Sequence, residues 1–309
     1  MAVTASHPDL DLAELDAAVE RAIRTGSSDG LRVLGFGEVT LVVGWPTAQP
    51  VLAVKRLPLI RDEPQLERYR EVLDGYVRAL RERDVPVVET DLRFATSPGG
   101  GLHAYLVQPL VPCEEMLHLV LREAEPARGG RLLRELATIV AEGVDEHVGL
   151  DAQAANWSVQ GERLATVDVS TPLMRDVTGH DRLDLDLFLS IYPWAMRPAL
   201  ARIAHGVMTQ YHDPRTVLVD VASNLVKERH ERWLPVLLDA ANAHVVPAIT
   251  DQEVRRYFAR DRRLWLLMQR LRRADRAWQR HVRRRPYPFL LPPPYRYGPP
   301  ETPHPRSAS

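Results

Sequence analysis

Three polar residues in one short stretch have the types and spacing for phosphate chemistry. Asp151 is followed five residues later by Asn156, and Asp168 comes twelve residues after that. Asn156 precedes the run Trp157-Ser158-Val159, and Asp168 follows the run Leu164-Ala165-Thr166-Val167, with Gln160-Gly161-Glu162-Arg163 as a turn between them. The pattern predicts a loop, a strand, a tight turn and a second strand. In such a hairpin the start of one strand lies beside the end of the other. Asn156 and Asp168 then project to the same end of the ladder. An amide oxygen and a carboxylate there make a hard-oxygen site suited to Mg²⁺ with phosphate. Asp151, just upstream, can face the same spot as a base.

A second candidate lies far upstream. Only two of the 40 basic side chains are lysines, Lys55 and Lys227. Lys55 ends the apolar run Val51-Leu52-Ala53-Val54, where a compact point charge can contact phosphate oxygens. The plainer reading is an exposed strand-end lysine. Before it, Leu31–Val43 reads LRVLGFGEVTLVV, two β-rich runs flanking Gly35-Phe36-Gly37. Glycines there let backbone amides approach a phosphate closely, although a Gly-x-Gly is also a plain turn. Pro64–Arg83 has helical periodicity, with Leu66, Tyr69, Val72, Leu73, Tyr76, Val77 and Leu80 as its apolar face. Glu67 and Glu71 are four apart on this helix and share a side.

The parts appear in the order Gly35/Gly37, Lys55, Glu71, Asp151, Asn156, Asp168. This resembles the protein-kinase-like fold, and its aminoglycoside and choline kinase-like branch in particular. There the glycine loop is G-x-G-x-x-G-x-V, the strand is V-A-x-K, and Asp and Asn stand five apart ahead of a metal-binding Asp. The likeness covers roughly residues 30–175, with helices beyond. It implies a two-lobed α+β fold with an antiparallel-sheet N-lobe and a helical C-lobe. Residues 1–112 would be the nucleotide-binding lobe with an N-terminal helix, and 113–285 the C-lobe. Independently of the resemblance, the proline density of residues 286–309 reads as a disordered, mostly unpacked tail. The cofactors implied are ATP and Mg²⁺. Lys55 would hold the α- and β-phosphates, oriented by Glu71. Gln108-Pro109-Leu110-Val111-Pro112 would be the inter-lobe hinge, with Gln108 and Leu110 offering backbone to the adenine edge. Asn156 and Asp168 would hold the metal, and Asp151 would take the proton of an acceptor hydroxyl on a small molecule.

The chain also departs from that pattern. Thr40 stands at the third glycine position. Gly149 and Leu150 stand where protein kinases have His and Arg, and Val169-Ser170 where they have Phe-Gly. No Ala-Pro-Glu comes after it. These departures fit a small-molecule phosphotransferase better than a protein kinase. A nucleotide-binding pseudokinase scaffold remains an alternative, as does a binding module acting through the C-terminal region.

Around these parts, Asp9–Arg24 predicts an amphipathic helix packed on the lobe after it. Val85–Val88, Leu92–Thr96 and His103–Val107 read as strands, the last two joined by Ser97-Pro98-Gly99-Gly100-Gly101. From Cys113 the pattern is helical: Glu114–Arg122, Arg131–Val148, Leu185–Tyr192, Arg197–Tyr211, Arg215–Asn242 in one or two pieces, and Asp251–Arg284. Between Asp251 and Arg285 stand 13 arginines against four acids. The apolar stripe of that helix includes Val254, Phe258, Trp265, Leu267, Met268, Leu271 and Trp278. It reads as one packed and one solvated face, with contact to an acidic partner or a membrane surface as the other reading.

With 309 residues the chain can bury a sizeable core. Its net charge of −1 provides no general field for nucleic acid, and no specific nucleic-acid contact is expected. A single cysteine, Cys113, allows no internal disulfide, which fits a reducing, cytoplasmic setting. Cys113 itself reads as small, buried and unreactive. No signal-peptide pattern and no run of 18 apolar residues is present.

Overall fold

The computed structural model describes residues 10–36, 40–190, 192, 197–284, 287 and 290. The protein is α+β, with a five-stranded antiparallel sheet in its N-terminal part and helices after it. Helix α1 (Leu12–Thr25) starts at Asp11, whose carboxylate accepts the Glu14 amide, and stops at Gly26, which adopts a left-handed φ of 71°. The strands are β1 (Arg32–Phe36), β2 (Leu41–Trp45), β3 (Leu52–Arg56), β4 (Asp91–Thr96) and β5 (Leu102–Pro109), in the spatial order β1-β2-β3-β5-β4. Helix α2 (Glu63–Glu82) connects β3 to β4, capped by Asp62 and opened by Pro64 in its first turn.

The two faces of the sheet are covered differently. Alternation along β3 turns Leu52, Val54 and Arg56 to one side, where they meet α1. The other side faces α2 and is continuous with the core of the helical part. That part contains α3 (Leu117–Glu123), α4 (Pro126–Gly143), the hairpin β6 (Trp157–Gln160) and β7 (Arg163–Thr166), and α5 (Leu185–Leu189). Helices α6 (Arg197–Gln210), α7 (Pro214–Lys227), α8 (Leu234–Asn242) and α9 (Asp251–His281) complete it. Helix α4 packs on α7 and α8, and α7 packs on α9. Among the described residues, no helix is long and apolar enough to cross a membrane.

Several expectations need correction. Val85–Val88 is no strand; it contributes one parallel bridge, Val87 to Thr166. The helical stretch 215–242, by contrast, forms in two pieces as the pattern allowed, divided where Arg229 takes a positive φ of 63°. Cys113 is exposed, in a short 3₁₀ turn after β5. In the Pro-rich segment, Tyr287 and Leu290 are described and buried, at 2% and 7% exposure. Leu290 joins the cluster between α1 and the sheet. Residues from 291 onward, with 285, 286, 288 and 289, lie outside the described residues.

Candidate functional site

The hairpin β6–β7 is built as its sequence requires. Gln160 pairs with Arg163 across a two-residue turn, and Gly161 there takes the left-handed φ of 64° that such turns need. Trp157 pairs with Thr166, so Asn156 and Val167 are the next residues along the ladder. The Val167 amide donates to the Asn156 carbonyl at 2.9 Å. Asn156 and Asp168 are thereby held at one end of the hairpin. The Asn156 Nδ2 donates to the Asp151 carbonyl at 3.2 Å, which ties the loop to the same end.

Lys55 reaches this end from the sheet. It lies on the side of β3 away from α1, and its Nζ is 2.7 Å from Asp168 Oδ1 and 3.1 Å from Ser170 Oγ. The same Oδ1 accepts the Ser170 amide at 3.0 Å and the Ser170 hydroxyl at 2.7 Å. Burial pushes the Asp168 carboxyl upward, but the Lys55 ammonium and these hydrogen bonds more than reverse this and hold it below the usual carboxylate range. Asp151 behaves in the opposite way. Burial and the neighbouring Asp168 charge push it up to about 6. Two neighbouring carboxylates are thus driven apart, one ionised and paired, the other near the point of protonation.

Lys55 is not paired with Glu71, nor with Glu67. Glu71 is exposed, and Glu67 bonds Arg70 on the surface. The inward face of α2 is set by Gln65, Leu66, Tyr69, Val72, Leu73 and Tyr76, and Glu71 falls between its rows. Tyrosines face the loops where the resemblance expects a carboxylate. Tyr69 donates to the Ser170 carbonyl and Tyr76 to the Gly149 carbonyl, both at 2.9 Å.

The segment after β5 also differs from expectation. The Leu110 amide donates to the Val51 carbonyl, so it has no donor to offer an adenine edge. Gln108 acts through its side chain instead, donating to Thr90 Oγ1 at 2.8 Å and to the Val167 carbonyl at 2.9 Å. It joins the sheet to the hairpin just ahead of Asp168. Gly35 lies in β1, beside an irregularity in its pairing with β2. Gly37 lies outside the described residues.

Gly149 explains one departure from the kinase pattern. A Cβ at this position would stand 2.8 Å from the Tyr211 carbonyl oxygen and 3.1 Å from both Leu173 Cβ and the His212 ring. The backbone is held on both sides, by the Gly149 amide to the Leu173 carbonyl and the Leu150 amide to the Tyr211 carbonyl. No side chain fits. Gly149→Ala is expected to destabilise the fold by about 1–3 kcal/mol, the usual cost of overpacking. Thermal denaturation checks this, and an unchanged Tm would show that the loop yields freely.

A family model matches residues 14–276, from α1 into α9. The chain belongs to DUF6206, a family of unknown function. No curated protein matches the chain. The matched region holds every site residue named above.

Three contributors escape a reading of the sequence. Ser170, Tyr69 and Tyr76 are known only from their contacts, because tyrosines at helical spacing read as core. A fourth, Asp220, leaves a legible signal, since a lone carboxylate inside Val217-Leu218-Val219-Asp220-Val221-Ala222 breaks an apolar run. It is buried on α7, accepts from Asn224 Nδ2 at 3.1 Å, and is pushed up to about 7 by burial and by the Asp151 charge.

Proposed function

We propose that this protein is an ATP- and Mg²⁺-dependent phosphotransferase that moves the γ-phosphate to a hydroxyl of a small molecule. One observation carries the reading: Lys55, on a sheet strand, pairs at 2.7 Å with Asp168, 113 residues away, at the hairpin end shared with Asn156 and Asp151. The five antiparallel strands and single connecting helix ahead of a helical region supply the content of a two-lobed kinase-like fold. The orienting role that the resemblance gave to Glu71 passes to Asp168 and Ser170, which bracket the Lys55 ammonium.

The donor set suits Mg²⁺. Asn156 commits its Nδ2 to the Asp151 carbonyl, leaving Oδ1 as a ligand. Asp168 directs all its described hydrogen bonds through Oδ1, leaving Oδ2. Among the described residues no group of three His, Cys, Asp or Glu forms a cage. Mg²⁺ carried with phosphates needs only one or two carboxylates. When bound, the metal would neutralise charge on the phosphates. Lys55 would hold phosphate oxygens as a point charge. Asp151, ionised above pH 6, would orient the acceptor hydroxyl and accept its proton as the new O–P bond forms and ADP departs.

A second reading, a nucleotide-binding scaffold without transfer, has one observation on its side: no α2 carboxylate reaches Lys55. Thermal shift with Mg-ATP, followed by ADP release over a panel of hydroxylated metabolites and antibiotics, separates the two. A rise in Tm with ADP release on one acceptor is the expected result. A rise without release on any acceptor supports the scaffold, and no rise at millimolar ATP removes nucleotide from the protein's function.

A further inference from the structure

Helix α9 presents an outward face that the proposed chemistry does not use. The sequence pattern expects Leu271 and Trp278 in its packed stripe. Instead they are exposed, at 37% and 55%, and Val282, one residue past the helix, is exposed at 56%. The packed side is formed by Val254, Gln269 and Arg272, which are buried. The side chains of Trp265 and Leu267 lie outside the described residues.

Leu271, Trp278 and Val282 are seven and four residues apart, so they form one line along the helix, roughly 16 Å long at 1.5 Å per residue. Arg260 continues that line toward the N-terminus. Arg256, Arg263 and Arg270, each seven apart, form a second line directly beside it. All four arginines are exposed. Exposed Ala259, Ala274 and Ala277 share this side and keep it flat. The carboxylates point elsewhere. Asp251 bonds Arg255, Glu253 bonds Arg215, Asp275 faces Tyr287, and Asp261 acts on Asp220 and Tyr257. Residues 251–285 carry 13 arginines and four acids, or +9. The whole chain is −1, so the remaining residues carry −10. The molecule is strongly polarised around this helix.

We propose that this face docks on an anionic membrane surface, with the Leu271–Trp278–Val282 line in the headgroup boundary and the arginines on lipid phosphates. Arginine forks match phosphate oxygens, and tryptophan favours the interface between water and acyl chains. A flat face with an apolar line beside a basic line suits a plane. A phosphate backbone alone would leave the 16 Å apolar line without a partner. The acidic remainder is repelled by the same surface, which orients the protein with α9 toward it. This inference is independent of the catalytic reading.

Sedimentation of the full chain with vesicles tests it. Vesicles of phosphatidylcholine with phosphatidylserine should bind the protein at about 0.1 M salt, and vesicles of phosphatidylcholine alone should not. Binding should fall at least tenfold at about 1 M salt, where the Debye length shrinks to about 3 Å. Substituting Arg256, Arg260, Arg263 and Arg270 together by Gln should weaken binding by about 10²–10³-fold, given the usual worth of each basic residue near such a surface. Trp278→Ala should weaken it about tenfold through lost apolar burial. All five side chains are exposed, so the fold should persist, with Tm as the control. Absence of binding to the anionic vesicles overturns the proposal, as does equal binding by the variants. Tighter binding to a single-stranded oligonucleotide than to the vesicles at the same salt also overturns it and makes the face a nucleic-acid interface.

Discussion

Asp151→Asn is expected to lower turnover by about 10²–10⁴, the usual worth of a positioned general base, while sparing Mg-ATP binding. In the proposed reaction the carboxylate acts on the acceptor, and the amide that replaces it keeps its shape. The Asn156 bond goes to the Asp151 carbonyl, so the loop keeps that support. The pH dependence arises from the same side chain. Burial and the Asp168 charge raise Asp151 to about 6, so it is protonated and idle below that pH. The wild-type kcat/KM should climb through pH 6 and level off above it, and the variant should lose that limb. Stability should move the other way. A raised carboxyl contributes most to stability when protonated, below about pH 4, and that contribution is lost as pH rises through 6. At pH 7 the ionised Asp151 therefore strains the fold, and Asp151→Asn should gain roughly 1–2 kcal/mol, discounted for the partial exposure of the residue. Lower turnover with a higher Tm distinguishes a base from a structural residue, and a variant that loses both would refute the assignment.

Asp168→Ala should abolish turnover and the Mg-dependent part of the ATP thermal shift. It removes the proposed metal ligand and the partner of Lys55 in one step. Lys55 and Asp168 are 16% and 28% exposed, so the pair is largely shielded and its loss leaves an ammonium poorly compensated. A cost of about 1–3 kcal/mol is expected without nucleotide, below that of a fully buried pair. The Asp168 carboxyl is depressed, so its contribution is present above about pH 4 and lost as pH falls below that. Lys55→Met should remove the same pair from the other side and impair ATP binding. Combining Asp168→Ala with Lys55→Met should then cost much less than the sum. A Mg-dependent ATP shift retained in Asp168→Ala would end the metal assignment.

The local geometry of the hairpin end was legible in the sequence. Asn156, Asp168 and a two-residue turn at Gly161 define a hairpin whose ladder needs no distant partner. The antiparallel strands and α1, α2 and α9 are legible from periodicity, because each buries one side. Three things needed the tertiary structure. The partner of Lys55 depends on how α2 is rotated over the sheet, and a register of Tyr69 and Tyr76 leaves Glu71 in water. The glycine at 149 needs the Tyr211 carbonyl, 62 residues away, to show why no side chain stands there. The outward face of α9 needed the packing of α7 and Tyr287, since Leu, Trp and Val at helical spacing look alike in a core and on a surface. Sequence spacing determines which residues share a row, and only the neighbours packed on that row determine whether it faces protein or solvent.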